Sequence, residues 1–318
     1  MAIYLITGIA GFIGSSLAEA LLKRGDCVRG VDNLTTGTLE NLKSLRGAID
    51  FRQIDLRDAA ATREACTDVD YILHHGAIAS VPLSITDPKA SHECNIDGTF
   101  NLLEGARHAG VKRVIYAASS SVYGEQPHLP SNESLVPMPI SPYAVQKLAG
   151  EYYMKSYWQV YGLETISLRY FNVFGLRQAA DSAYSGVLAK FIVQMLEGLQ
   201  PTIFGTGEQG RDFTYIDNVV SANLLACAAP ADKVAGRVFN IACGRQQTLN
   251  DTYRVLATLT GFDRPPRYGP ERTGDILNSQ ADISAATEAF GYKPLVGFEE
   301  GLYLTVEWYR ETMAVACP

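Results

Sequence analysis

An apolar run, Ala2-Ile-Tyr-Leu-Ile-Thr7, passes directly into Gly8-Ile-Ala-Gly11-Phe-Ile-Gly14 and then into helical periodicity from Ser15 to Arg24. A short run that is apolar without alternation suits a parallel strand buried on both faces. Glycines at a strand-to-helix turn let the backbone approach a pyrophosphate, which then rests on the helix N-terminus. The spacing is Gly-x-x-Gly-x-x-Gly rather than the commoner Gly-x-Gly-x-x-Gly, and taken alone a tight turn would satisfy it equally well. The next apolar segment, Cys27-Val-Arg-Gly-Val31, reads as a second strand and ends on Asp32, 24 residues after Gly8. An acid at that place can hydrogen-bond the ribose hydroxyls of an adenosine. Its charge also repels a 2′-phosphate, so the pattern favours NAD over NADP.

Alternating strands and helices continue from there. Phe51-Arg-Gln-Ile-Asp55-Leu56-Arg-Asp58 reads as a third strand and its exit, with Asp55 and Leu56 placed to meet an adenine edge or simply to form a loop. Tyr71-Ile-Leu-His-His75 reads as a fourth strand, whose two terminal histidines suit packing and hydrogen bonding better than catalysis. Asp87-Pro88 opens a helix running through Asn95, Phe100, Leu103 and Ala106, and Val111 to Ala118 is the next strand. Ser119-Ser-Ser121-Val-Tyr123-Gly124 lies at its C-terminal end, the side of an open sheet where ligands sit. The rhythm predicts an α/β fold with a doubly wound parallel sheet.

Ser141-Pro-Tyr-Ala-Val-Gln-Lys147 opens a long helical pattern that stops at Gly162. Ser141 is a good N-cap, and Pro142 sits where a missing N–H costs nothing. Tyr143 and Lys147 are spaced to share one helix face. A phenol with an ordinary pKa near 10 is a poor base at neutral pH. A nearby ammonium favours the phenolate, and a bound nicotinamide cation would favour it further. Such a tyrosine can take a proton from an alcohol while the same carbon is oxidised. Beyond Glu164–Arg169, a further strand, the rhythm loosens into loops bearing Phe204, Arg211 and Arg272, where arginines suit anions and an aromatic beside glycines suits base stacking. Asp217–Ala226 reads as a helix, Val238–Ala242 as a strand and Glu299–Thr312 as a closing helix.

Composition narrows the function classes. The chain has 318 residues, 47% hydrophobic and 19% charged, as expected for a globular protein. A formal charge of −7 without a basic run argues against nucleic acid or anionic membrane as partner. No apolar run reaches membrane-span length, and the start has no basic n-region, so a cytoplasmic location is expected. The six cysteines are scattered without metal-ligand spacing, so they read as reduced, with no metal site.

Taken together the chain resembles the extended short-chain dehydrogenase/reductase family, and within it the nucleotide-sugar 4-epimerases. The likeness runs nearly end to end. It rests on Thr7–Gly14, Val31-Asp-Asn-Leu34, Asp55-Leu56, Ala118–Gly124, Ser141–Lys147 and Arg169-Tyr-Phe-Asn-Val-Phe-Gly175. The resemblance implies an NAD-binding Rossmann domain over 1–172, with a return segment near 217–243, and a smaller α/β nucleotide-sugar domain over 173–318. It implies cofactor contacts from Gly8, Gly11, Phe12, Ile13, Gly14, Asp32, Asn33, Asp55, Leu56, Tyr143 and Lys147. Tyr143 would be the base and acid, Lys147 the residue that lowers its pKa and holds the nicotinamide ribose, and Ser119 a hydrogen-bond partner at the sugar oxygen. Ser80, Ser121 and Tyr123 would line the sugar site, and Asn172, Phe204, Arg211 and Arg272 would hold the uridine diphosphate. The implied reaction oxidises C4 of a UDP-sugar, turns the 4-keto sugar over and reduces its other face. A homodimer through the helices around 95–106 and 143–161 is also implied.

Three departures bear on the substrate. Related 4,6-dehydratases and uronate decarboxylases carry a carboxylate in the serine segment, where this chain has Ser-Ser-Val; those activities, or a non-catalytic NAD-sensing role, are the alternatives. Gly175-Leu176 replaces the frequent Gly-Pro, and Ala79 stands near where some relatives place a lysine. In Gly274–Asp282, Ser279 matches the position where epimerases restricted to plain hexoses carry tyrosine. A small residue there is expected to admit N-acetylated sugars.

Overall fold

The computed structural model describes residues 1–180, 186–271 and 277–316. Six strands arise before residue 171: β1 (Ile3–Thr7), β2 (Cys27–Asp32), β3 (Ile49–Gln53), β4 (Tyr71–His74), β5 (Arg113–Ser119) and β6 (Glu164–Tyr170). An excursion then carries the short strands β7 (Val173–Phe174), β8 (Thr202–Phe204), β9 (Gly210–Arg211) and β10 (Thr214–Tyr215) before β11 (Arg237–Ile241) returns beside β6. The resulting seven-stranded parallel sheet has the order β3-β2-β1-β4-β5-β6-β11. Strand order reverses between β1 and β4, and an open sheet of this kind binds ligands in the crevice beyond that switch point.

Helices cover both faces: α1 (Phe12–Lys23), α2 (Ala59–Ala65), α3 (Val81–Thr86), α4 (Pro88–His92), α5 (Gly98–Ala109), α6 (Pro142–Tyr161), α7 (Val187–Leu196) and α8 (Ile216–Ala228). Strand side chains alternate between two buried layers. Ile6, Ile115 and Leu168 join Leu17 and Leu21 of α1 and Val219 and Ala226 of α8. Leu5, Val114 and Tyr116 point the other way, to Leu102 and Leu103 of α5 and Met154 and Tyr157 of α6. Burial on both faces is why Ile3–Ile6 of β1 and Val114–Ala118 of β5 are unbroken apolar runs.

The turn after β1 is as tight as glycine allows. A Cβ at Gly14 would lie 2.2 Å from the Gly8 carbonyl oxygen, and one at Gly8 would lie 2.8 Å from the Gly76 nitrogen. In α6, the Ser141 hydroxyl accepts from the Ala144 N–H at 3.2 Å, and Gly162 closes the helix at φ 72°. One helix departs from the sequence expectation. The pattern opening at Asp87-Pro88 is α4 and α5 joined through a π-turn, Glu93–Asp97, and α3 precedes it. The third strand also ends at Gln53, so Asp55 and Leu56 lie on its exit.

Helix α8 packs on α1, and β11 completes the sheet, so the chain returns to the seven-stranded sheet after its excursion. Outside the sheet, β7 pairs with β10, while β8 and β9 pair with short strands at Arg267–Gly269 and Gln247–Thr248. No helix among the described residues is long and apolar enough to cross a membrane.

Candidate active site

A cavity of about 1590 Å³ opens along the carboxyl ends of β1, β2, β4, β5 and β6. It reaches from Asp32 and Asn33 at one end, past Ser119, Tyr143 and Lys147, to Arg211 and Ser279 at the other. Its dinucleotide end is built by backbone. Gly11 is the N-cap of α1 and has no side-chain capping bond, so the first-turn N–H groups face the cavity unspent by a cap. A pyrophosphate against those groups is favoured by the helix dipole. Gly8, Phe12, Ile13 and Gly14 line the same wall.

Asp32 is buried at the end of β2, where its carboxylate accepts from the Ala10 N–H at 3.0 Å and the Leu34 N–H at 2.8 Å. Desolvation raises its pKa against those two bonds. A buried carboxylate with acceptor capacity left over suits a diol. The glycine cradle and this acid together fit NAD. Asp55 and Leu56 both line the cavity, but the Asp55 carboxylate is already engaged, by Arg57 at 2.7 and 3.0 Å and by the Asn33 amide at 3.0 Å. Those partners hold its pKa well below the usual range.

Tyr143 and Lys147 stand one turn apart on α6, facing the end of β5. The Lys147 ammonium donates to the Ala117 carbonyl at 2.8 Å and lies 6.0 Å from the Tyr143 ring centroid. Burial pulls the Lys147 pKa down to about 8. The Tyr143 phenol is raised by burial, and the Ser119 hydroxyl beside it pulls the other way. The net direction on Tyr143 in this structure is therefore upward, not the lysine-driven fall that the helical spacing predicts. A desolvated phenol needs more than one partner to ionise; a cationic nicotinamide is the charge that would be added.

Behind this pair lies a polar network that sequence patterns did not indicate. The Asn95 amide, in the π-turn, donates to Gln146 at 2.8 Å and to the Ile78 carbonyl at 3.1 Å, and Ser91 donates to Gln146 at 2.7 Å. These bonds tie α4, the π-turn and the loop after β4 to the helix carrying Tyr143. His74 bridges Thr7 and Thr99 at 2.7 and 2.9 Å, and His75 meets the Tyr170 hydroxyl at 3.0 Å. Burial lowers the pKa of both histidines and favours their neutral forms, and His75 also lines the cavity.

On the far side, Ser121, Tyr123, Asn172, Arg211 and Ser279 all line the cavity. Tyr123 donates to Asn240 at 2.7 Å, and Asn172, at φ 34°, donates to the Ser279 hydroxyl at 3.2 Å. Phe204 lines a smaller adjoining cavity of about 390 Å³, which Asn172 and Arg211 share. Ser80 is not on the wall of the main cavity. It is buried as the N-cap of α3, its hydroxyl accepting from the Leu83 N–H at 3.2 Å. Arg272 lies outside the described residues.

Comparison with known proteins adds four findings. The model of the NAD-dependent epimerase/dehydratase family matches residues 4–242. A UDP-glucose 4-epimerase of Mycolicibacterium smegmatis is 37% identical over 310 residues, covering 96% of this chain and 98% of that one. The crystal structure of a Thermotoga maritima UDP-glucose 4-epimerase with UDP-glucose superposes with a TM-score of 0.93 at 39% identity, over 98% of this chain and 99% of that one. A UDP-N-acetylglucosamine 4-epimerase of Methanobrevibacter ruminantium, bound to UDP-N-acetylmuramic acid, gives 0.92 at 39% over the same shares.

The acid at the end of β2 makes a direct prediction. Asp32→Ala removes hydrogen bonds to a charged acceptor and should weaken NAD binding roughly 10- to 100-fold. Cofactor released on denaturing the wild-type protein should be NAD and not NADP; NADP in that supernatant would refute the assignment.

Proposed function

The chain belongs to the NAD-dependent epimerase/dehydratase family, and from that premise we propose that it is a UDP-sugar 4-epimerase acting on N-acetylated as well as plain hexoses. One observation carries the reading. Tyr143, Lys147 and Ser119 meet in the middle of a single cavity whose two ends have different chemistry, a glycine cradle with an acid and a polar wall with an arginine. A dinucleotide and a nucleotide sugar laid end to end would bring the sugar carbon to the tyrosine.

Bound NAD supplies the two-electron acceptor and donor for C4. The protein supplies the rest. Tyr143 takes the proton from the C4 hydroxyl and returns it to the ketone, with the Ser119 hydroxyl bonding the same oxygen. Lys147 holds a charge beside the phenol, in a site where burial strengthens its field. Asn172 and Arg211 hold the diphosphate, and Phe204 takes the base in the adjoining cavity. Held by its nucleotide, the ketone sugar can turn over about its anomeric oxygen without leaving.

The serine segment Ser119–Tyr123 offers no carboxylate, which disfavours dehydration and decarboxylation. Exposed Phe100 on α5 and Val145, Tyr152 and Tyr153 on α6 form an apolar strip that supports pairing with a second copy. At the sugar end, Ser279 is small, and its hydroxyl accepts from Asn172, which leaves its proton to donate to an acetamido carbonyl.

Two experiments follow. Tyr143→Phe keeps the ring and removes the proton carrier, so turnover should fall roughly 10²- to 10⁴-fold with nucleotide binding retained. Near-normal epimerisation by that variant would sink the assignment. Ser279→Tyr should destroy interconversion of UDP-GlcNAc and UDP-GalNAc while sparing the unacetylated pair, because filling a pocket excludes the larger ligand without touching the chemistry. The check is kcat/KM for both pairs; equal losses, or a wild type blind to UDP-GlcNAc, would show that Ser279 is not the gate.

A further inference from the structure

Tyr116 is fully buried on β5, and the Lys147 ammonium stands over its ring, 4.9 Å from the centroid. Its hydroxyl is buried without a hydrogen-bond partner. A buried tyrosine normally keeps its hydroxyl paired, since leaving it unpaired costs stability. A hydroxyl so placed gives the site no bond, so the useful part of this residue is its ring.

The opposing helix is shaped to admit that ring. A Cβ at Gly150 would lie 2.2 Å from the Tyr116 hydroxyl oxygen and 2.5 Å from its Cζ. Glycine in the interior of a helix is destabilising relative to alanine. Here it opens a gap one turn beyond Lys147, where the ring passes.

The other groups around Lys147 are occupied or neutral. Tyr143 and Glu151 face it from its own helix, His74 from β4 and His75 from the residue after it, and Cys94 from the π-turn. The Glu151 carboxylate is committed to Arg169 through bonds of 2.9 and 2.7 Å. Burial keeps both histidines neutral and the Cys94 thiol protonated. The Ala117 carbonyl accepts from the ammonium at 2.8 Å, and the ring face of Tyr116, electron-rich by its quadrupole, is the nearer of the two aromatic faces it meets.

We propose that Tyr116 is a positioning residue whose ring face keeps the Lys147 ammonium charged and seated at the end of β5, with Gly150 as the notch that admits the ring. This rests on the reading of Lys147 as the charged partner of Tyr143, but its test reads Lys147 directly.

The experiment titrates isotope-labelled lysine by NMR in the purified protein and compares the midpoint with the pH profile of turnover. Tyr116→Phe removes only the unpaired hydroxyl, and should leave the Lys147 midpoint in place. Phenylalanines of increasing ring fluorination at the same position keep the shape and weaken the face. Losing attraction to the cation lets the proton leave at lower pH, so the midpoint should fall stepwise, by about half to one and a half pH units in all. The high-pH limb of turnover should fall with it. Gly150→Ala, which must displace the ring, should give the same downward shift with Tyr116 intact. A midpoint moved by Tyr116→Phe, or unmoved by full fluorination, would overturn the proposal. A midpoint that moves while turnover keeps its pH profile would instead refute the role given to Lys147 in the reaction.

Discussion

An ammonium held out of water at the carboxyl edge of a parallel sheet is the constraint that the site is organised around. Lys147 is 4% exposed, and its burial pulls its pKa down toward neutrality. Keeping it charged requires that everything around it be polar in the right sense or neutral. The Ala117 carbonyl, the Tyr116 ring and the Glu151–Arg169 pair meet that requirement from β5, α6 and β6. The same burial raises the phenol of Tyr143. A cationic group bound beside the phenol would favour its ionised form.

The sheet makes this arrangement possible. Its strands are buried on both faces, so polar side chains concentrate where the strands end. The reversal of order between β1 and β4 leaves a crevice that the Gly8–Gly14 turn can enter closely. Rigid supports then fix the helix carrying Tyr143: Ser141 caps it, Gln146 anchors it through Asn95 and Ser91, and Glu151 joins it to β6. Residues whose own partners are settled in this way hold a catalytic constellation more tightly than loops can.

Local patterns carried much of this in the sequence. The glycine turn, Asp32 at the end of β2, and the span from Ser141 to Gly162 depend on neighbours a few residues away, so periodicity and capping chemistry reveal them. Features that depend on distant partners were hidden. The Asn33 amide, 22 residues before Asp55, bonds its carboxylate. The Glu151–Arg169 pair and the Tyr116–Gly150 contact join elements that no spacing rule connects. The π-turn at Glu93–Asp97 has no periodic signature of its own, because it shifts a helix by one residue without breaking its apolar face.

The central claim is that one closed site both oxidises and re-reduces C4. Its most direct test is to incubate the purified protein with UDP-glucose in D2O without added cofactor and to read the product by NMR. UDP-galactose that keeps protium at C4 is the expected result. Deuterium at C4, or a 4-keto-6-deoxy sugar in place of the epimer, would contradict it.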